Sequence, residues 1–218
     1  MALKGNVKGV AVEVRFDERQ LERARVELAG ISNGLNKALA GAINKVLTKG
    51  RTEVVRGLSE TLTAKPSRIR KTPGGTERIT LRKASADRLE GLIKILARPI
   101  GLINFKLKEV RKKRKGRKYG TSYPGEGVFG QIYKSGQPFR LKHAFKAIGR
   151  GGNLHIFQRV KKGGKYTPRQ PIEALKGPSL LTVYREHPEL HAQVEKRITE
   201  ELGKELDSQI DRFLKRSK

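Results

Sequence analysis

The stretch Pro188 to Leu214 reads P-E-L-H-A-Q-V-E-K-R-I-T-E-E-L-G-K-E-L-D-S-Q-I-D-R-F-L, and its periodicity decides the fold class. Leu190, Val194, Ile198, Leu202, Leu206, Ile210 and Leu214 recur in steps of four, which predicts one long amphipathic helix. Pro188 suits a first helical turn, and Glu189 sits at the favourable end of the helix dipole. Lys215, Arg216 and Lys218 lie where that dipole favours cations. Steps of four drift around a 3.6-residue helix, so the stripe curls and Phe213 joins its seam.

A second helical pattern occupies the other end of the chain. Leu21, Ala24, Leu28, Ile31, Leu35, Leu39, Ala42 and Val46 follow at steps of three and four, continuing to Val54, Leu58 and Leu62. Asp17 followed by Gln20 resembles a capping box. Gly30, Gly34 and Gly41 each cost a helix about 1 kcal/mol against Ala, unless they let another element approach closely.

Between the helices the pattern changes to short alternating runs. Ile79 and Leu81, Leu89 to Ala97, Phe105 to Val110, Val128 to Tyr133, Ala144 to Ile148 and Asn153 to Val160 predict strands. Gly149 to Gly152 reads as a hairpin turn, and Gly163–Gly164 as another. Pro99 interrupts the second run and re-aims Ile100, Leu102, Ile103 and Phe105 toward a core. The expectation is an α+β protein with a long N-terminal helix and a C-terminal helix packed with a mostly antiparallel sheet bearing basic loops. The expected divisions are an arm or strand over 1–16, a helix over 17–62, a basic β-rich body over 63–170, and a docking segment with the final helix over 171–218. Together these make one domain.

Charge bounds the function. The chain has 49 Lys+Arg against 21 Asp+Glu, a formal net charge of +28. Residues 61–170 hold 29 of those cations and five of the acids, or +24, leaving +4 for both ends. Such a body repels itself and binds polyanions with strong salt dependence. The densest run, Lys106 to Lys118, has nine cations and one acid. It cannot be packed in a core. Three readings stand for it: a solvated hairpin tip or loop, a loop reaching phosphates or an acidic partner through Arg111, Lys112, Lys113 and Arg114, then Lys115, Arg117 and Lys118, and a localisation signal. A second basic group, Lys65, Arg68, Arg70 and Lys71 in T-A-K-P-S-R-I-R-K at 63–71, has two readings: an ordinary polar connector, and a short helix opened by Pro66, capped by Thr63 and displaying Arg68 and Lys71. Leu28, Ile31, Leu35 and Leu39 on one helix, and Val194, Ile198, Leu202, Leu206 and Ile210 on the other, are the expected packing surfaces between subunits.

Several chemistries are disfavoured. There is no Cys, which excludes disulfides and thiolate sites. No run of about 18 apolar residues offers a membrane span, and residues 1–14 lack the apolar core of a secretory signal. His187 and His191 have a zinc-compatible spacing, but Pro188 between them places His187 outside the helix, and both read as structural. The G-R-G-G of 149–152 lacks the ending of a P-loop. Glu77, Asp87, Glu90, Glu109 and Glu126 are too scattered for a two-metal nuclease. We therefore expect no enzyme and no cofactor.

Four segments together carry a resemblance: A-L-A-G-A-I-N-K-V at 38–46; T-A-K-P-S-R-I-R-K at 63–71; R-I-T-L-R-K-A-S-A-D-R-L-E-G-L-I-K-I at 78–95, leading to R-P-I-G-L-I-N-F at 98–105; and R-Q-P-I-E-A-L-K-G-P-S-L at 169–180. In this order and spacing, over most of residues 35–215, the chain resembles the prophage minor tail protein Z family. The resemblance implies a virion protein that completes the head-proximal end of a tail and supports head–tail joining and DNA-end positioning. It implies other tail and connector proteins as partners, a homo-oligomeric ring with six subunits favoured, and host cytoplasm during assembly; the basic body then meets either genomic double-stranded DNA or acidic surfaces of those partners. The composition alone also fits a free, sequence-nonspecific nucleic-acid-binding protein.

Overall fold

A computed structural model describes residues 17–110, 127–160 and 172–216. The arm over 1–16, the cations from Arg111 to Lys118 and the turn at Gly163–Gly164 lie outside the described residues. The fold is α+β, with helices at both ends and small antiparallel sheets between them. It forms two compact units. A helical unit contains the chain up to Leu58, Thr76–Ala97 and everything from Leu181; a β unit contains Ser59–Gly75 and Arg98–Leu180.

The helical unit is built on α1 (Glu18–Glu27), α2 (Gly34–Thr61) and α5 (Pro188–Arg216). The single helix expected over 17–62 is therefore two. Leu28 closes α1 by donating its N–H to Ala24 O, and Asn33 then takes φ 54°. Asn33 lies immediately before α2, where its carbonyl accepts from Lys37 N at 3.0 Å, and Asn is among the few side chains that tolerate a left-handed conformation. At the start of α1, Asp17 accepts from Arg19 N at 3.1 Å. Gln20 makes no capping box; its amide lies against Gly203 of α5, where a methyl group would come within 2.7 Å.

Glycines fix how closely α2 and α5 approach. A methyl group at Gly41 would meet Gln209, at Gly50 it would meet Ile198, and at Gly57 it would meet Leu190. As α2 ascends in number α5 descends, so the two run antiparallel. Ala24, Leu28, Ala38, Leu39, Ala42, Leu206 and Ile210 form one buried cluster, with Leu21, Ile31, Leu35, Phe213 and Leu214 packed against it. Further along α5, Val194, Ile198 and Leu202 are also buried. The hairpin of β1 (Ile79–Arg82) and β2 (Leu92–Ile95) belongs to this unit, pairing Ile79 with Ile95 and Leu81 with Ile93. Asn44 of α2 holds the hairpin connection: its side chain donates to Ala84 O at 2.9 Å and accepts from Ala84 N at 2.8 Å.

This packing corrects the assignment of the apolar stripes. Of the nine residues expected between subunits, Leu28, Leu39, Val194, Ile198, Leu202, Leu206 and Ile210 are buried by this chain alone. Ile31 and Leu35 are half-buried against the same cluster. The stripes are genuine, but each finds its mate on the same chain.

The β unit begins where α2 ends. Thr61 O accepts from Lys134 N at 2.9 Å, and Leu62 bridges to Tyr133. Thr63 does not cap the short helix α3 (Pro66–Arg70), whose N-cap is Lys65. Its hydroxyl instead donates to Gln131 O and accepts from Lys106 N, tying two neighbouring strands. Those strands belong to the sheet β4 (Lys106–Val110), β5 (Gly127–Gln131) and β6 (Phe139–Leu141). A second sheet joins β7 (Ala144–Ile148), β8 (Leu154–Arg159) and β9 (Ile172–Ala174). The turn expected at 149–152 is present: Gly149 N donates to Asn153 O, and Gly152 adopts φ 75°.

Pro99 opens β3 (Pro99–Gly101), and a short 3-10 turn (Leu102–Asn104) follows. Ile100, Leu102 and Phe105 are buried as expected; Ile103 is half-buried. The segment expected to dock after Pro171 is strand instead: Ile172–Ala174 extends the β8 sheet, and β10 (Lys176–Ser179) pairs with β3. Gly177 and Pro178 lie within β10. They sit where the register shifts between Lys176 and Ser179, on a two-stranded ladder that tolerates a missing N–H. α4 (Leu180–Glu186) then leads into α5.

Candidate functional site

The division into units also divides the charge. The β unit holds 25 Lys+Arg and four Asp+Glu, net +21; the helical unit holds 24 and 17, net +7. In the helical unit cations meet acids. Lys49 on α2 lies 2.5 Å from Glu201 and 2.7 Å from Glu205 on α5, with Lys45 at 3.4 Å from Glu205 and Arg197 at 3.5 Å from Glu201. The hydrogen bond from Lys49 holds both carboxyls below the usual carboxylate range, although partial burial opposes it. Its two carboxylate hydrogen bonds raise the Lys49 ammonium in turn. In the β unit, four acids cannot balance 25 cations, so the unit does not neutralise its own charge.

The first cationic element is α3. Ile69 is fully buried and anchors the helix, while Lys65, Arg68, Arg70 and Lys71 are exposed. A five-residue helix with one apolar anchor thus presents the side chains read from T-A-K-P-S-R-I-R-K. The second is the β4–β5–β6 sheet. The run Lys106 to Lys118 is not one loop: Lys106–Val110 is strand, and Val110 pairs with Gly127. The two ends of the segment holding Arg111 to Lys118 are therefore fastened side by side.

Register places Lys108, Phe129 and Arg140 in one row across β4, β5 and β6. Lys108 and Arg140 are exposed, Phe129 is half-buried, and the Arg140 guanidinium carbon lies 5.0 Å from the Phe129 ring centroid. Sequence reasoning missed this row, because β6 is three residues long and carries no pattern of its own. The signal was the alternation in Lys106, Leu107 and Lys108, which puts both lysines on one face.

The histidines reach different partners. His187 Nδ1 is 2.6 Å from Glu189 Oε1, which together with a backbone hydrogen bond lowers that carboxyl. His191 Nε2 is 2.8 Å from Tyr184 O, and its ring stacks on Tyr184 at 4.1 Å. Burial pushes the Tyr184 phenol up to about 12. Among the described residues, no group of His, Asp and Glu is arranged to hold a metal ion. Nor is any described helix long and apolar enough to cross a membrane.

These features define an α+β protein in which a helical unit with many internal ion pairs is joined to a far more cationic β unit. The helices supply a self-contained core, and the sheets supply a charged surface. The chain belongs to the prophage minor tail protein Z family, whose profile matches residues 19–216. It is a structural protein of a phage tail, and its place is the virion. The match bears out the resemblance read over 35–215 and extends it through α1. No curated protein and no solved structure matches the chain.

Proposed function

We propose that this chain completes the head-proximal end of the tail, supports joining to the head and positions the DNA end there, as a ring of identical subunits with six favoured. The observation that carries the reading is the charge division. A net +21 in the β unit needs a dense source of negative charge, and a packaged genome is such a source. Arg68, Arg70 and Lys71 stand exposed on α3 for phosphate contact. Arg111 to Lys118 are proposed as a second contact on the same grounds of charge. Closing a ring multiplies the cationic surface around one axis, which suits a channel through which DNA passes.

Contacts between subunits no longer draw on the buried stripes. They are proposed to use apolar side chains that the fold leaves outside, chiefly Ile148 and Leu154, which face each other across the β7–β8 pair and are 72% and 47% exposed.

Imaging of phage particles with a labelled chain tests the placement. The expected density is at the head–tail junction, and particles lacking the chain should accumulate as separate filled heads and tails. A label at the distal tail tip, or normal joining without the chain, refutes the reading.

A further inference from the structure

The solvent face of the β4–β5–β6 sheet has a composition that phosphate contact alone does not require. Lys106 and Lys108 stand two residues apart on β4, so they share a face. Phe129 and Arg140 continue the Lys108 row onto β5 and β6. With strands about 4.8 Å apart, the row spans roughly 10 Å. Glu109 is the one acid in these three strands among the described residues. It points to the opposite face, where it accepts from Lys146 N at 3.3 Å. Among the described residues of these strands, that face carries Lys106, Lys108, Arg140 and the neutral Gln131, with the Phe129 ring between Lys108 and Arg140.

An aromatic ring among cations has a specific use. Phe129 is half-buried, although the alternating Val128 already fills the core side of β5 at 0% exposure. A duplex keeps its base faces stacked inside and offers a protein surface mainly phosphates and groove edges. A strand with unpaired bases offers a ring face beside each phosphate, and both aromatic rings and guanidinium planes stack on it. Arg140 over Phe129 supplies both kinds of plane in one place.

We infer that Lys106, Lys108, Phe129 and Arg140 form a binding surface for a nucleic-acid strand with unpaired bases. The lysines and Arg140 hold phosphates, and Phe129 with Arg140 stacks on a base. The inference rests on the reading that the β unit meets nucleic acid, and adds that part of that contact is unpaired.

Fluorescence anisotropy with the full chain tests it, using labelled oligothymidylate and a blunt duplex of equal length over a range of salt. Phe129→Leu should weaken oligothymidylate binding by at least about five-fold, the lower end of what one stacked base contributes. It should leave both the salt slope and duplex binding unchanged. Phe129→Tyr should bind as the wild type does, and far-UV circular dichroism checks that each variant is folded. Lys106→Ala, Lys108→Ala and Arg140→Ala together should lower the slope of log K against log salt by about 2, from three lost phosphate contacts on a single strand. Equal losses for both oligonucleotides in Phe129→Leu, or no loss, overturn the inference. So does displacement by polyglutamate as effective as by oligothymidylate, which would reassign the surface to an acidic protein. Such a failure with the chain still found at the head–tail junction removes this surface alone; absence of the chain from that junction removes the proposed function.

Discussion

Leu206→Ala separates a stripe buried within the chain from one buried between chains. Leu206 is 0% exposed and belongs to the cluster that joins α1, α2 and α5. Truncation removes the transfer energy of the lost carbons and leaves a cavity lined by helices that cannot all close in, a loss of about 3–5 kcal/mol. At roughly 2–4 °C per kcal/mol for a chain of this size, the melting temperature should fall by roughly 6–20 °C. The assay is thermal unfolding by far-UV circular dichroism at two protein concentrations tenfold apart. The fall should be the same at both, because no second chain covers the site. Val26→Ala is the control: Val26 is 70% exposed, and its loss should stay within about 0.5 kcal/mol. A loss below about 1 kcal/mol for Leu206→Ala, or one that depends on concentration, would refute the reasoning.

Four further outcomes follow from the geometry. Glu201 and Glu205 are held below the ordinary carboxylate value, so their contribution is present above that value and disappears as pH falls through the lowered one; Glu201→Gln with Glu205→Gln should flatten the acid side of a plot of urea midpoint against pH. Lys49 is raised, so its contribution is complete below its ordinary value of 10.5 and fades as pH climbs through the raised one, and Lys49→Met should flatten the alkaline side. Asn44→Ala strips two partners from the Ala84 backbone and should cost about 1–3 kcal/mol, read by urea unfolding, with faster amide exchange at Ala84. Gly127→Ala should destabilise by about 2 kcal/mol or more in thermal melts, because Gly127 has φ 101° and a methyl group there would overlap Leu141 O.

The sequence made α5 legible because its stripe repeats without a break over seven positions and its ends carry the right charges. The interruption after α1 was not legible. Of the three weak points Gly30, Gly34 and Gly41, the first lies within the break and the second opens α2, while Gly41 stays inside it; successive turns over Leu28–Asn33 separate the two helices. Periodicity also cannot say whose surface covers a stripe. Leu28 and Leu206 are 178 positions apart, and only the antiparallel run of α2 against α5 brings their neighbourhoods into one cluster. The α3 cations could be read locally, since Pro66, Ile69 and the flanking basic residues lie within one turn or two. The Lys108–Phe129–Arg140 row could not, because each member comes from a different strand and β6 has too few residues to announce itself.

The helical unit is assembled from three separated stretches, and the last of them begins at Leu181. On the ribosome, α1 and α2 emerge long before the helix that covers them. Until translation has passed Ile210, Leu28 and Leu39 lack part of their cover, and a nascent chain in that condition is a substrate for chaperones or a seed for aggregation. A message truncated after Leu180 would yield a polypeptide with its N-terminal helices uncovered, one that proteases can remove before it is built into a particle. Because α5 follows α1 and α2 in the chain, the N-terminal helices gain their full cover only once α5 has been translated.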